Sequence, residues 1–364
     1  MAKKLLLTAR DYSSGLNAFA LVQSSLIREF FDIKVILGYP ANELFRKMLC
    51  QDDSDIFSEY LEHFEYVKGY KAPLANSIKK IQKLVSNEAP DILITGISGA
   101  GIGVDEVAIK VCKGLIPVIS YQDYWGYINK NLGCVPDKVL LMDNFAKSIT
   151  DKNYPHLPSE IVGSLKYDFY LNHVADNLLK KLRRNHSTPD KYWVFVGQPI
   201  SFIDDYIATI ELVIKHAKYS NLPCYYLPHP SVNLYDVRKY LPPSFLLLDE
   251  QEIPKEILLL RADKIFTCFS TYVTDLLIMK QLFSLKKPDI AMINISNKIQ
   301  DYQVSVAGTL SEMPIPEDLV CNVRTEKEII SFLERKSNIN ASMKFDSALA
   351  NINTVLHREL MAFA

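Results

Sequence analysis

The sequence predicts an α/β protein with two Rossmann-like, doubly wound parallel-sheet lobes and a C-terminal helical segment. Three observations support this. The chain has 364 residues, and single hydrophobic cores rarely grow beyond about 250–300 residues, which favours two domains. Short apolar runs alternate with helix-like segments, as in parallel sheets covered by helices on both faces. The alternation occurs twice, on either side of a charged and polar stretch within residues 171–190.

The first predicted lobe spans residues 1–170. Its strands are short apolar runs of strand length: KKLLLTA, IKVILGY, PDILITG, IPVISYQ and DKVLLMD. Amphipathic or apolar helices alternate with them: GLNAFALVQSSLIREFF and GVDEVAIKVCKG. We interpret residues 171–190, which are helical at first and then charged and polar, as the linker between the lobes.

The second predicted lobe spans residues 191–335 and repeats the same alternation without repeating the residues. Its strands are KYWVFVGQP, LPCYYLPHP, SFLLLDE, DKIFTCFS and DIAMINIS. Helical patterns such as DDYIATIELVIKHAKYS and STYVTDLLIMKQ lie between them. Residues 336–364 are predicted to form a C-terminal helix. Ligands of such sheets bind beyond the carboxyl ends of the strands, and with two lobes we expect the site in the cleft between them.

Composition excludes several classes of function. The net charge of −1 gives no field that would attract nucleic acid. The six cysteines form no CxxC pair and the seven histidines do not cluster with acids, so we expect no metal site and reduced thiols in a cytoplasmic protein. No apolar run is long enough for a membrane span, and the start lacks a signal-peptide core. Docking on the inner face of a membrane stays open, as does oligomerisation.

Polar residues that follow strands of the second lobe are candidate ligands. His229 stands between Pro228 and Pro230, which restrict the backbone and give the imidazole a defined direction, so that it could donate to a phosphate. A stiff turn with an exposed histidine explains the same pattern equally well.

Two further strand ends in the second lobe carry polar groups. Ser270 and Thr271 open a helix after a strand, where hydroxyls either cap the helix or assist phosphate binding at its N-terminus. Gly197 and Gln198 follow the first strand of this lobe. Glycine allows a ligand to approach the backbone and the amide could donate to it, although a tight turn would use the same residues.

The first lobe offers a glycine-rich loop and two carboxylates. Gly96, Gly99, Gly101 and Gly103 fall within eight residues after a strand. They do not match GxGxxG, and we expect a ligand or the other lobe to approach this loop closely. Asp123 ends an apolar strand among aromatic residues, which could raise its pKa for general-base work and stack on a sugar. Asp11 is the competing carboxylate, and capping of the next helix is its structural alternative.

These residues carry a resemblance to a known family. The two-lobe pattern resembles the GT-B fold of nucleotide-sugar glycosyltransferases, including surface-polysaccharide enzymes. His229-Pro230 is similar to the HP motif of bacterial sialyltransferases and related CMP-sugar transferases, and Ser270-Thr271 is similar to their Ser-Ser/Thr motif. The resemblance implies that these residues contact the phosphate of the donor. In that family the general base is one of two adjacent acids that precede a glycine. The best match in this sequence, Gln122-Asp123-Tyr124-Trp125-Gly126, has one acid and an inserted aromatic residue before the glycine.

The resemblance implies a metal-independent inverting glycosyltransferase. It would need no cofactor beyond a nucleotide-sugar substrate, with a CMP-sugar favoured, and would transfer the sugar to a glycan or another hydroxyl acceptor. Asp123, or else Asp11, would take the proton of the acceptor. Two alternatives stay open. One is a sugar-nucleotide 2-epimerase, which requires several acids and a histidine around the sugar. The other is a catalytically inactive binding or assembly protein of the same shape, which the neutral Gln122 favours.

Overall fold

The computed structural model describes residues 2–49, 57–59, 72–99, 101–182, 189, 191–217, 222–229, 232–247, 255–307, 313, 315–335 and 344–363. The chain forms two compact units. The first contains Met1–Phe169, Val306–Thr309 and Phe345–Ala364, and the second contains Tyr170–Ser305 and Leu310–Lys344. Helical residues therefore occupy part of the segment 171–190 that the sequence suggests as a linker, and they belong to the second unit.

The first unit is a seven-stranded parallel sheet with strand order β3-β2-β1-β4-β5-β6-β7. Its strands are β1 (Lys3–Ala9), β2 (Phe31–Leu37), β3 (Phe57–Glu59), β4 (Ile92–Thr95), β5 (Val118–Tyr121), β6 (Lys138–Leu141) and β7 (Ser159–Ile161). Its helices are α1 (Tyr12–Gln23), α2 (Ser25–Arg28), α3 (Ala41–Met48), α4 (Ala72–Glu88), α5 (Val104–Cys112), α6 (Asn144–Asn153), α7 (Leu165–Phe169) and the C-terminal α15 (Leu349–Phe363).

The second unit is a six-stranded parallel sheet with strand order β10-β9-β8-β11-β12-β13. Its strands are β8 (Trp193–Val196), β9 (Cys224–Leu227), β10 (Phe245–Leu247), β11 (Lys264–Thr267), β12 (Asp289–Ile293) and β13 (Cys321–Val323). After a π-helical turn at Tyr170–Val174, its helices are α8 (Ala175–Leu182), α9 (Asp204–Ala217), α10 (Leu234–Tyr240), α11 (Lys255–Arg261), α12 (Tyr272–Phe283), α13 (Asn297–Ala307) and α14 (Glu326–Glu334).

The predicted fold class is confirmed: both sheets are parallel and doubly wound, with the order of strands reversing beside β1 and beside β8. The central strands are apolar because both of their faces are covered. All four residues of β4, of β5 and of β8 are buried. Among the described residues, no helix is both long and apolar enough to cross a bilayer.

The C-terminal segment is part of the first unit. Ser164 pairs with Ser347 in an isolated parallel bridge, and the buried Asp168 carboxylate accepts the backbone N–H of Ala348 at 2.7 Å, just before α15. Burial raises the pKa of Asp168, and the donors at the start of α15 partly offset that cost. One buried carboxylate therefore holds the last helix of the chain.

Gly163→Ala should destabilise the protein and release its C-terminal segment. Gly163 has a φ of +105°, and a Cβ there would lie 2.7 Å from the carbonyl oxygen of Asp346. Gly114→Ala is the matched control, because its φ is +80° and nothing lies within 4 Å of the added Cβ. We expect a loss of about 1 kcal/mol for the control from backbone strain alone, and clearly more for Gly163→Ala, measured by chemical denaturation.

Limited proteolysis provides the second measurement. Faster cleavage near the start of α15 is expected in Gly163→Ala and not in Gly114→Ala. Equal unfolding free energies for the two variants would show that the contact between Gly163 and the C-terminal segment contributes no stability.

Candidate functional site

The carboxyl ends of β1, β4 and β5 meet at one edge of the first sheet. Thr8 pairs with Thr95, and Thr95 pairs with Ser120, near the ends of these strands. The residues that follow are Arg10–Asp11, the glycine-rich loop at 96–103 and the turn at 122–127. The order of strands reverses between β1 and β4, which is where open α/β sheets bind their ligands.

The glycine-rich loop is closely approached by the chain itself. A Cβ at Gly96 would lie 2.4 Å from Cβ of Ser14, and a Cβ at Gly103 would lie 2.4 Å from Cδ of Arg10. These glycines therefore make room for helix α1 and for the Arg10 side chain. Packing within the first unit explains Gly96 and Gly103 without the ligand or the other lobe that was expected to approach this loop.

Three backbone donors of this loop are already used. The N–H of Gly99 donates to Asp11 Oδ2 at 2.8 Å. The N–H groups of Ser98 and Gly103 donate to the two carboxylate oxygens of Glu106, at 3.1 and 2.7 Å. A phosphate-binding loop needs such donors free, so these three are not available to a nucleotide.

Asp11 stands at the edge of the site and does not cap α1. It occupies the N-cap position but makes no side-chain capping bond. Its carboxylate instead accepts from Gly99 and from Nε of Arg10, the latter at 2.9 Å, with 34% of the side chain exposed. Capping of α1, the structural alternative for Asp11, therefore does not explain the position of its carboxylate. Its catalytic role stays a prediction.

Asp123 follows β5 and is the second carboxylate at this edge. Burial raises the pKa of Asp123, the charge of Asp11 raises it further, and the charge of Lys166 partly offsets the shift. Lys166 is only 6% exposed. Asp11 and Asp123 are thus close enough to influence each other, and a carboxyl with a raised pKa suits proton transfer near neutral pH.

A buried pair of acids at the start of α5 was not singled out from the sequence. Asp105 is fully buried and accepts from the hydroxyls of Thr8 and Ser98, at 2.7 and 3.0 Å, and from the N–H of Arg10 at 3.1 Å. Burial raises the pKa of both Asp105 and Glu106. Two adjacent acids in an otherwise apolar helix, directly after a glycine loop, were the available signal. Asp105 and Glu106 thus stabilise this edge of the sheet by accepting hydrogen bonds from the segments that follow β1 and β4.

Gln122, where the resembled family has a second acid, is a structural residue. It is fully buried, its Nε2 donates to the carbonyl of Tyr127 and to Thr150, each at 3.2 Å, and its Oε1 accepts the N–H of Gly126 at 3.1 Å. A carboxylate could accept but could not donate. The neutral amide is therefore required by the turn at 122–127.

Two of the aromatic residues around Asp123 are not available for stacking. Trp125 is 1% exposed and donates from Nε1 to Asp143 at 3.0 Å. Tyr121 is 3% exposed, and its hydroxyl bridges the turn before α7 by donating to Gly163. The expectation that these faces receive a sugar is wrong for both, because the unit uses them in its own core.

At the corresponding edge of the second sheet, Gly197 and Gln198 follow β8. A Cβ at Gly197 would lie 2.3 Å from the hydroxyl of Tyr226, so packing within the unit accounts for the glycine. Gln198 is 4% exposed, its N–H donates to the hydroxyl of Tyr206 at 2.8 Å and its Oε1 accepts the N–H of Phe269 at 3.0 Å. The Gln198 side chain therefore ties the ends of β8 and β11 together.

Ser270 and Thr271 precede α12, as predicted. The hydroxyl oxygen of Ser270 accepts the N–H of Tyr272 at 3.3 Å. Thr271 is the N-cap residue but makes no side-chain capping bond, and both residues are partly exposed. One hydroxyl caps this end of the helix and the other does not.

His229 follows β9 and is partly exposed, with its carbonyl accepting the N–H of Val232 at 2.9 Å. Pro230, its predicted partner, lies outside the described residues. Because β9, β8 and β11 are neighbours, the fold brings His229, Gln198 and Ser270 to the same edge of one sheet. Their roles as nucleotide ligands stay predictions.

No protein-family model and no curated protein matches this sequence. Solved structures match nearly all of it. The S. aureus MnaA–UDP co-structure gives a TM-score of 0.67 at 10% identity, covering 99% of this chain and 97% of that one. UDP-GlcNAc 2-epimerase from Neisseria meningitidis bound to UDP-GlcNAc gives 0.65 at 13% identity, covering 99% and 100%.

The glycotransferase of kitacinnamycin gives a TM-score of 0.55 at 12% identity, covering 99% of this chain and 95% of that one. At these identities the likeness shows the fold, which is GT-B-like, as the resemblance implied. None of these three neighbours is a sialyltransferase or a CMP-sugar enzyme, so the finer part of that resemblance finds no support here.

Glu106→Gln should flatten the pH dependence of stability. Burial first, and then Asp105, raises the pKa of Glu106 from 4.5 to about 7. Between these values the folded protein holds more protons than the unfolded chain, so the free energy of unfolding falls as pH rises. We expect wild type to lose on the order of 1–3 kcal/mol from this group and the variant to lose less.

Urea denaturation at about pH 5 and about pH 8 measures both slopes. Glu43→Gln, at an exposed acid, is the control and should keep the wild-type slope. An unchanged slope in Glu106→Gln would mean that Glu106 stays ionised across this range.

Gln122→Glu should destabilise the first unit although the two side chains have the same shape. The change removes two donated bonds and places an acid at a fully buried position, which costs about 1–3 kcal/mol or more. Gln300→Glu is the control, because it removes one donated bond at a partly exposed position. Thermal unfolding at neutral pH measures both, and equal losses would contradict the role assigned to Gln122.

Proposed function

We propose that this protein is an enzyme that acts on a nucleotide sugar, with 2-epimerisation of the sugar as its reaction. The fold supports the substrate class, since the chain matches nearly the whole length of UDP-GlcNAc 2-epimerases whose structures contain UDP-GlcNAc. This favours the alternative reached from the sequence over the glycosyltransferase. A uridine nucleotide is favoured over a cytidine nucleotide on the same ground.

The observation that carries the reaction is the pair Asp11 and Asp123 at one strand edge of the first unit. Epimerisation at C2 needs a base that removes the C2 proton while the electron pair expels the nucleoside diphosphate from C1. An acid must then return a proton to the other face of C2 as the diphosphate oxygen re-forms the bond to C1. Asp123, whose pKa is raised by burial and by the charge of Asp11, suits this exchange of a proton. Arg10 and Lys166, also at this edge, offset the two negative charges.

The nucleotide is assigned to the second unit. His229, Gln198, Ser270 and Thr271 lie where three neighbouring strands end. The N-terminus of α12 carries the positive end of a twelve-residue helix, which favours a phosphate there. The hydroxyl of Thr271 makes no capping bond and is the group best placed to donate to that phosphate.

Inverting transfer to a hydroxyl acceptor is the second candidate. It needs one base, and Asp123 with its raised pKa beside the neutral Gln122 meets that requirement without a partner acid. In this reaction too, His229 and Ser270-Thr271, which are similar to motifs of the resembled family, would bind the donor.

The deciding experiment is incubation with about 1 mM UDP-GlcNAc in D₂O, followed by proton NMR. We expect deuterium at C2 and resonances of the 2-epimer without any acceptor. Asp123→Asn should lower the rate by about 10²–10⁴-fold, with UDP-GlcNAc binding retained in a thermal-shift assay. Asp151→Asn, at an exposed acid of α6, is the control and should keep the wild-type rate.

Other outcomes decide between the candidates. Binding without deuterium incorporation, together with transfer to an added hydroxyl acceptor, would replace epimerisation by transfer. A thermal shift with CMP-sugars alone would restore the cytidine assignment. No binding of any nucleotide sugar would remove both candidates.

A further inference from the structure

The Gly99 peptide links Asp11 to a second group of side chains. Its N–H donates to Asp11 Oδ2 at 2.8 Å. Its carbonyl accepts from the hydroxyl of Tyr127 and from Nδ2 of Asn129, each at 2.9 Å. Asn129 and Tyr127 therefore contact the residue whose N–H holds the Asp11 carboxylate.

Asn129 makes three of the contacts that fix this loop. It is 4% exposed, and its Nδ2 also lies 3.2 Å from the carbonyl of Ser98 and 2.6 Å from that of Gly101. Its Oδ1 accepts the N–H of Asn131 at 3.0 Å, which fixes the amide itself. One buried side chain thus contacts three carbonyl oxygens of the same loop.

The loop needs such an external restraint because glycine leaves its backbone free. Gly99 and Gly101 have no side chains that could hold the chain in one conformation. The direction of the Gly99 N–H follows the plane of the Ser98–Gly99 peptide, whose carbonyl oxygen lies 3.2 Å from Nδ2 of Asn129. Asn129 and Tyr127 supply that restraint from the segment after β5.

Asp11 has a competing position. It is the N-cap residue of α1 and makes no capping bond, although aspartate at an N-cap commonly accepts the N–H groups of the first turn. With a third of its side chain exposed, the carboxylate has room to turn. The bonds from the Gly99 N–H and from Nε of Arg10 hold it away from the helix and at the edge of the site.

We propose that Asn129 is a positioning residue that holds the Gly99 peptide and, through it, keeps the Asp11 carboxylate directed at the substrate. The kinetic part of this inference rests on the proposed function. Asn129 is assigned no contact with substrate. Its loss lets the carboxylate turn to cap α1, and misplacement by about 1 Å can cost a reaction about 10²-fold.

Asn129→Ala should lower kcat about 10–100-fold per folded molecule with KM within about twofold. Asn129→Asp, which keeps the size and loses the donor, should behave alike and serves if the alanine variant folds poorly. Tyr127→Phe, which removes one of the two donors to Gly99, should lower kcat less. Asn351→Ala is the matched control: it removes an amide bond to the carbonyl of Val162 in the same unit and should leave kcat unchanged.

The double variant Asn129→Ala/Asp11→Asn separates positioning from general damage. If Asn129 acts through Asp11, the double variant should be no slower than Asp11→Asn alone, since neighbours in one network do not add. If the two losses multiply, Asn129 acts independently of Asp11 and the inference is overturned.

A test without turnover keeps the inference separate from the proposed function. In Asn129→Ala, hydrogen exchange in the loop at 96–103 should rise above wild type, and a crystal structure should show the Asp11 carboxylate at the N-terminus of α1. If wild type has no activity but these changes occur, the proposed function fails and the positioning role holds. An unmoved Asp11 carboxylate in Asn129→Ala overturns the role.

Discussion

The candidate site in the first unit depends on one buried carboxylate, Asp105. It accepts from the hydroxyl of Thr8 near the end of β1, from the backbone just beyond it, and from Ser98 after β4. Parallel strands at a switch point diverge beyond their ends, so something has to hold the two following segments together. Removing a carboxylate from water is costly, and burial therefore raises the pKa of Asp105. Hydrogen bonds from three donors partly offset that cost.

The second unit solves the same problem with a neutral group. Gln198 follows β8 and accepts the N–H of Phe269 after β11, and β8 and β11 are the strands beside which the order reverses. The amide of Gln198 adds no charge to this edge, whereas the first unit carries four acidic and two basic residues at its edge. This difference agrees with proton transfer at the first edge and binding of an anion at the second.

Several residues that resemble ligand-binding motifs have internal reasons for their identity. Gly103 makes room for Arg10, Gly197 for Tyr226, and Gln122 has its amide fully used by the turn that follows it. The contact distances exclude a larger residue at the two glycines, and the need to donate excludes an acid at Gln122. The candidates for contact with a substrate are therefore fewer: Asp11, Asp123 and, in the second unit, His229 and Thr271.

The sequence by itself determined the fold class, because apolar runs of strand length alternating with amphipathic helices can be buried only in covered parallel sheets. It also placed Asp123, Asp11 and Ser270-Thr271 at strand ends, since a strand end is a local property. Only the tertiary structure decided that Asp105 supports β1, that Gln198 bonds to a segment 71 residues away, and that Asn129 fixes the Gly99 peptide. Those bonds join parts of the chain that are distant in sequence, and a hydrogen-bond partner across such a distance leaves no periodic pattern to detect.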